Sequence, residues 1–486
     1  MRAASLLAMA IALLGCNCDG ERHLPKQPTP PIVTPPGEAG VDEAGVGAGS
    51  AIVDGAVARM PGFLDAPVGS LDRLFEAWDA AERGDRGGRA LMLFFGDSHT
   101  AGDSMTSRLR TTLQAKFGDG GRGLVAAGRP NARHYYQRDV RYGASGSWRA
   151  SVGGKNGDAE PFGVAGLRVY GQQKGAQLWV ETCADCPTGK TVAQFEIMYQ
   201  AAPDRGVLKY KVDDQPWKSI ATKTAPIEPP HPAREVIVVP DGAHKLTLEH
   251  GGGGQLDLYG VVMERGRPGV IVDALGVVGR RLGSLRSWDW SIIGDQLATR
   301  DPRLVVLQYG TNEADDPDLD LEAMGRYFDE TILRIRAAAP TASILILGAP
   351  DMGVREAGKS CDRMKVLPDA GVVPECEWRT PSVLGEIIAV EHAAAARNKV
   401  AFFDTLSAMG GPDRMHAWVT QEPKTAFKDH VHFTDVGYQL WADGLSHALL
   451  DDYARWRSEH RLPPSSPMTP APRAPSDAPL PGPIAP

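Results

Sequence analysis

Basic charge is in short supply. The 486-residue chain sets 52 Lys and Arg against 60 Asp and Glu, a formal net charge of −8 with a pI near 5.9. A protein that grips nucleic acid without sequence preference needs surplus cations to neutralise phosphates, so that class is set aside. Long apolar runs are missing too. The strongest, in "MRAASLLAMAIALLGC" behind Arg2, covers roughly ten residues, the length of a secretory signal core and too short for a bilayer. No internal repeat is visible. Cysteine is sparse, at six residues. In an exported chain a paired state is the default, and the simple proposal is two local disulfides, Cys183 with Cys186 in "CADC" and Cys361 with Cys376 across a loop. Zinc held by the same four thiols is disfavoured, because the pairs fall in different parts of the chain. A thioredoxin-like role is disfavoured because "CADC" does not open a helix after a strand. What remains, 42% hydrophobic and 23% charged, can bury a sizeable core and has length for two domains or one with a large insertion.

The ends read separately from the middle. The first apolar run closes on "LLGC", which resembles a bacterial lipobox, and the resemblance makes Cys16 the lipidated first residue of the mature chain. An ordinary cleaved signal peptide stays open at this point, with Cys18 as a competing thiol. In the lipoprotein pattern Asn17 favours outer-membrane sorting, so the expected location is the cell envelope, on the outer membrane facing the periplasm, with the membrane engaged through a lipid anchor. Residues 1–16 are then the signal and lipobox, and 17–62 a Pro- and Gly-rich tether. Roughly forty such residues at about 3 Å each reach on the order of 100 Å. The Pro-rich tail, 461–486, reads as unfolded.

Between the ends, short β-rich runs alternate with helical patterns. The runs "LMLFFG", "GVIVDAL", "RLVVLQYG", "SILILGAP" and "VAFFDT" are nearly all apolar, as strands covered on both faces must be. "LEAMGRYFDETILRIRAAA" and "LGEIIAVEHAAAARN" repeat apolar positions every three or four residues. The expectation is an α/β core with a doubly wound, five-stranded parallel sheet. From 151 to 265 the pattern changes to alternating strands with turn signals such as "PDRG" and "VPDG", which predicts an inserted antiparallel β-sandwich. The core is thereby split into 63–150 and 266–460. An insertion after the first core strand would lie over the end of the sheet where α/β folds bind ligands. Trp179, Tyr210 and Trp217 within it are of the type that stacks on sugar rings.

The loops at that end hold the chemistry. The first strand runs into "GDSHTAGDS", placing Ser98 at a strand-to-helix turn where backbone amides can stabilise an oxyanion. The second leads to "GVVG" with Gly279, the third to "YGTNEA" with Asn312, whose amide can donate two hydrogen bonds. Near the C-terminal end "FKDHVHFT" offers Asp429, His430 and His432. Each has an ordinary reading as a cap or turn. Four rim segments in this order are harder to explain that way.

In these four blocks the chain resembles the SGNH subgroup of GDSL esterases and lipases, whose fold is flavodoxin-like. The strings "GDSHTAGD", "FGDGGRG", "YGTNEA", "AMGG" and "KDHVHFT" are similar to those of bacterial peptidoglycan O-acetylesterases, which carry a carbohydrate-binding-like sandwich between the first two blocks. The resemblance implies Ser98 as nucleophile, His432 as base and Asp429 as its orienting acid. It also implies an oxyanion hole from the amides of Ser98 and Gly279 and the side chain of Asn312, and it calls for no metal or cofactor. The partner would be a polysaccharide, O-acetylated peptidoglycan first. Glu313 departs from the subgroup, where aspartate usually follows the asparagine. A serine nucleophile needs a base whose second ring nitrogen is held by a carboxylate. That logic favours His432 over an H-x-H metal site and expects His430 to lie further from the pocket.

Overall fold

The computed structural model describes residues 63–128, 136–153, 161–355, 364–367, 371–374 and 378–462. Cys16, the segment 17–62, the pair Cys361 and Cys376, and the tail from 463 onward lie outside the described residues.

Five parallel strands form the centre: β1 (Arg89–Gly96), β2 (Gly269–Gly276), β3 (Leu304–Gln308), β4 (Ser343–Leu347) and β5 (Ala401–Phe403), in the order β2-β1-β3-β4-β5. This is the doubly wound order expected, with one difference. A sixth strand, Leu64–Asp65, pairs antiparallel with β5 at the sheet edge. Two residues are too few to show a strand period, so nothing in the sequence announced it.

β1 shows why the core forms. Leu91, Leu93 and Phe95 point into one hydrophobic cluster, while Ala90, Met92 and Phe94 point into the other, none more than 1% exposed. Each large side chain buried in this way contributes about 1.5–3 kcal/mol. Helices α1 (Ser104–Phe117) and α4 (Asp435–Glu459) cover one face through Leu109, Leu113, Leu445 and Leu449. Helices α2 (Leu321–Ala338) and α3 (Ser382–Asn398) cover the other through Phe328, Ile332, Ile387 and Ala394.

The chain between β1 and β2 forms two antiparallel sheets. One has five strands, in the order Lys218–Ala221, Val207–Val212, Lys245–His250, Gln177–Glu181 and Arg141–Ser145. The other runs His231–Gly242, Val192–Ala201, Leu256–Glu264, Leu167–Gly171 and Arg149–Val152, with Gly121–Val125 pairing off its third strand. Antiparallel pairing therefore extends upstream of residue 151. Leu178, Leu208 and Leu246 of the first sheet and Val169, Phe195 and Leu258 of the second belong to one buried cluster. Of the three aromatics singled out in the sequence, Tyr210 is core, at 6% exposed. Trp179 is half-buried and Trp217 is exposed. Cys183 and Cys186 are joined by a disulfide.

Where the inserted sheets rejoin the core, a buried ion network sits at the seam. Glu264, at the end of Leu256–Glu264, receives Arg89 Nε and Nη2 at 2.8 and 2.9 Å. Arg300 bridges Glu264 and Asp273. Burial opposes ionisation of Glu264, yet Arg300 and Arg89 hold its carboxyl down at about 2. Removing one member of such a buried set strands the others' charge, which typically costs about 3–5 kcal/mol. Among the described residues no helix is long and apolar enough to cross a membrane.

Candidate active site

β1 ends at Gly96, and Asp97 caps the short helix Ser98–Ala101 by accepting the His99 amide at 2.9 Å. The cap sets Ser98 in the first position of the turn. β2 runs alongside so closely that a Cβ on Gly276 would come within 2.6 Å of the Asp97 carbonyl and collide with the Ala101 amide. Val277 then donates its amide to the Gly96 carbonyl at 2.9 Å. Only glycine lets the second block approach the nucleophile turn this closely.

The fourth block is a tight turn. Ala426 and Phe433 form an antiparallel bridge, Phe427 N donates to His432 O at 2.8 Å, and His430 N donates to Phe427 O at 3.1 Å. Inside it Asp429 Oδ1 accepts the amides of Val431 and His432, both at 3.0 Å. Asp429 Oδ2 pairs with His432 Nδ1 at 2.8 Å, and His432 Nε2 lies 2.9 Å from Ser98 Oγ. The carboxylate fixes the proton on Nδ1, which leaves Nε2 as the lone pair facing the serine hydroxyl. Burial opposes the Asp429 charge, but hydrogen bonds from His432 and the two amides hold its carboxyl at about 2. The same bond to Asp429 pushes the His432 pKa above its ordinary value, against its burial. The structure thus brings together three residues from opposite ends of the described chain, with the geometry of a nucleophile, a base and an orienting acid.

Gly279 and Asn312 belong to the second and third blocks. Gly279 adopts φ +70°, a left-handed conformation that favours glycine. Asn312 Nδ2 donates one hydrogen bond to Arg280 O at 3.0 Å, which leaves its second N–H for another acceptor. Among the described residues the amides of Ser98 and Gly279 donate no backbone hydrogen bond. Groups of this kind can serve as oxyanion donors. Glu313, a departure at sequence level, has a clear structural task. Its carboxyl accepts Leu282 N at 2.7 Å and Gly310 N at 2.9 Å, binding the second block to the third.

His430 and His432 do not face a common point. His430 Nδ1 meets Lys428 O at 3.0 Å and its Nε2 meets His416 Nδ1 at 2.9 Å. His430 is 4% exposed, and its ring nitrogens are taken by Lys428 and His416 rather than by Ser98. It is an integral part of the turn, and its partners His416 and Trp378 were not foreseen. No local motif announces them. His99 is fully buried against Tyr438, its Nδ1 3.0 Å from the phenol oxygen. Cys183 and Cys186, being joined, offer no thiolates.

Beneath the serine, two buried groups titrate against each other. Burial lifts the Asp97 carboxyl to about 7, and burial lowers the His99 imidazole to about 3. The raised carboxyl contributes stability that is full below pH 3.8 and lost as pH climbs toward 7. The depressed imidazole does the reverse, losing stability as pH falls below 6.5 toward 3. Between about pH 4 and 6.5 the two slopes cancel, each being about 1.4 kcal/mol per pH unit. Asp97→Asn removes one of them. Denaturant unfolding from pH 4 to 7 should therefore show the variant gaining stability relative to wild type by about 1.4 kcal/mol per pH unit, and parallel curves would show that Asp97 is not neutral in the fold.

Residues 246–440 match the family model of GDSL-like lipases and acylhydrolases. The match takes in Gly279, Asn312, Asp429 and His432 and leaves Ser98 outside, on the far side of the inserted strands. No curated protein matches the chain in sequence. Among solved structures, a peptidoglycan O-acetylesterase caught in action is 24% identical and superposes with a TM-score of 0.64 over 81% of this chain and 99% of that one. This shows that the two share a fold. A family two carbohydrate esterase from Cellvibrio japonicus is 11% identical, covering 65% of this chain and 98% of its own, with a TM-score of 0.23. The salicylyl-acyltransferase SsfX3 of a tetracycline pathway is 13% identical over 65% and 95%, with a TM-score of 0.28. At those scores neither carries an argument. The chain holds a GDSL-like lipase/acylhydrolase domain and is an ester hydrolase.

Proposed function

We propose that this ester hydrolase is a serine O-acetylesterase of the cell envelope that removes acetyl groups from a polysaccharide, O-acetylated peptidoglycan. The observation that carries the reaction is the unbroken hydrogen-bonded line from Ser98 Oγ through His432 to Asp429, at 2.9 and 2.8 Å. Ser98 Oγ attacks the acetyl carbonyl while His432 Nε2 takes its proton. Negative charge gathers on the carbonyl oxygen, where the amides of Ser98 and Gly279 and the Asn312 side chain stabilise it. Collapse of the intermediate expels the sugar hydroxyl, protonated by His432, and leaves acetyl-Ser98. Water, deprotonated by His432, then attacks the acyl carbon and releases acetate, returning the proton to Ser98.

The substrate rests on different support. The solved structure that aligns over 99% of its length is itself a peptidoglycan O-acetylesterase. The two antiparallel sheets fit the expected sandwich of carbohydrate-binding type, and Trp217 keeps an exposed ring there. At the catalytic rim, Phe427 and Tyr136 are exposed aromatics. Phe427 hydrogen-bonds the His432 carbonyl, and Tyr136 hydrogen-bonds Ala101 at the end of the nucleophile helix. Aromatic faces in such positions suit a sugar ring. In this reading Cys16 carries a lipid and the segment 17–62 lets the enzyme reach the wall from the outer membrane.

Acetate release separates this proposal from a broad esterase. The expected order of kcat/KM is O-acetylated peptidoglycan first, with acetylated xylan and short aryl esters well below. A polymer supplies binding energy remote from the ester that a small ester lacks. Efficient hydrolysis of lipid or aryl esters with no acetate released from the wall polymer would replace the proposal with the broad-specificity reading that the family description allows.

A further inference from the structure

The turn that holds Asp429 is gripped at its middle residue. His430 has φ +57°, a left-handed conformation that is strained for a non-glycine residue. Such a conformation persists only where the surroundings over-determine it. Here they do so through both the backbone and the side chain of His430. The imidazole lies flat on the Trp378 indole, ring centroids 3.3 Å apart and planes 9° from parallel. On another side it is parallel to His416 within 5°, and the two imidazoles share the 2.9 Å hydrogen bond. Its own carbonyl receives Gly353 N at 2.8 Å.

The hydrogen bonds fix the tautomers. The Lys428 carbonyl can only accept, so His430 Nδ1 carries a proton. Neutral His430 then has its lone pair on Nε2, and His416 Nδ1–H must be the donor. Burial lowers the pKa of both rings and keeps them neutral near pH 7. The charged or titratable groups facing the His430 ring are His416, Asp429 and Arg355, whose guanidinium also lies over Trp378 at 5.1 Å.

The jaws are themselves tied together. Buried Asp351 accepts the amides of Arg414 and Met415 at 2.8 and 2.7 Å, at the start of the helix carrying His416. It also accepts the Thr380 hydroxyl, two residues after Trp378. Asp413 takes Thr380 N at 2.8 Å. Trp378 and His416 are thus held in a fixed mutual position, independent of the catalytic turn that enters between them.

We propose that His430, clamped between Trp378 and His416, is a positioning residue that holds the Asp429 carboxylate on His432. A carboxylate displaced by a fraction of an ångström would leave His432 with a weaker acceptor, and misplacements of about 1 Å can cost about 10²-fold in rate. The proposal rests on the serine-esterase reading of the triad, so Ser98→Ala is run alongside. The central variant is His430→Gly, which suits φ +57° and removes only the clamp. Its kcat on an activated acetyl ester should fall about 10- to 10²-fold, with KM little changed. The acid limb of kcat/KM should move to lower pH, because His432 loses part of the interaction that raises its pKa. His416→Phe keeps the stack and loses the hydrogen bond, so a smaller fall and the same direction of shift are expected. His416→Asn, whose amide can donate from the Nδ1 position, should restore both toward wild type. If His430→Gly fails to fold, the His416 pair decides. Wild-type kcat and acid limb in the folded variants would overturn the clamp and leave His430 a packing residue. An active Ser98→Ala would instead overturn the triad reading itself.

Discussion

Ser98→Ala is expected to lower kcat for an activated acetyl ester on the order of 10⁶-fold, and His432→Ala to lower it by a similar factor. The two act as one unit, the serine being a poor nucleophile without a base and the base having nothing to deprotonate without the serine. Their 2.9 Å contact is the physical form of that unit. The double variant should therefore be no slower than either single one. Rates measured on variants with unchanged circular dichroism decide the matter. A double variant far slower than both would mean that Ser98 and His432 serve separate steps.

Asp429→Asn is expected to cost about 10⁴-fold in kcat. The amide can offer an N–H where the carboxylate offered a lone pair, which favours the imidazole tautomer protonated on Nε2. That nitrogen then cannot take the Ser98 proton. The pH profile should move as well. Wild type should lose kcat/KM as pH falls through the His432 pKa, which the bond to Asp429 holds above its ordinary value. Removing the negative charge lowers that pKa, so the remaining activity should have its acid limb at lower pH. A limb that stays in place, or moves to higher pH, would separate Asp429 from the titration of His432.

Much of this was legible in the chain. The five parallel strands were readable because both faces of each are covered, which leaves runs such as "LMLFFG" apolar throughout. Ser98, Asp429 and His432 took their roles from the resemblance of their blocks to a known family, a resemblance carried by local spacing within short strings. Local spacing also accounts for what was missed. Nothing near Asp429 in sequence points to Trp378 or His416, since the clamp forms only when a short strand and a six-residue helix meet at the turn. Tyr210 has the same alternating pattern whichever face of its strand looks outward, and the buried face proved to be its own. Glu313 stood in the motif as an oddity, and its task became visible only with Leu282 and Gly310 on either side of it.

The 2.9 Å line between Ser98 and His432 closes a loop of 334 residues. Contacts of such sequence separation pay their closure entropy before they are rewarded, so they belong to the late events of folding. The turn that carries Asp429 and His432 leads directly into α4, which Thr434 caps, and α4 must dock on α1 before the turn can meet Ser98. A chain folded only as far as residue 430 would hold Ser98 and both antiparallel sheets without His432. Catalytic competence thus waits on the packing of α4, the last of the described helices.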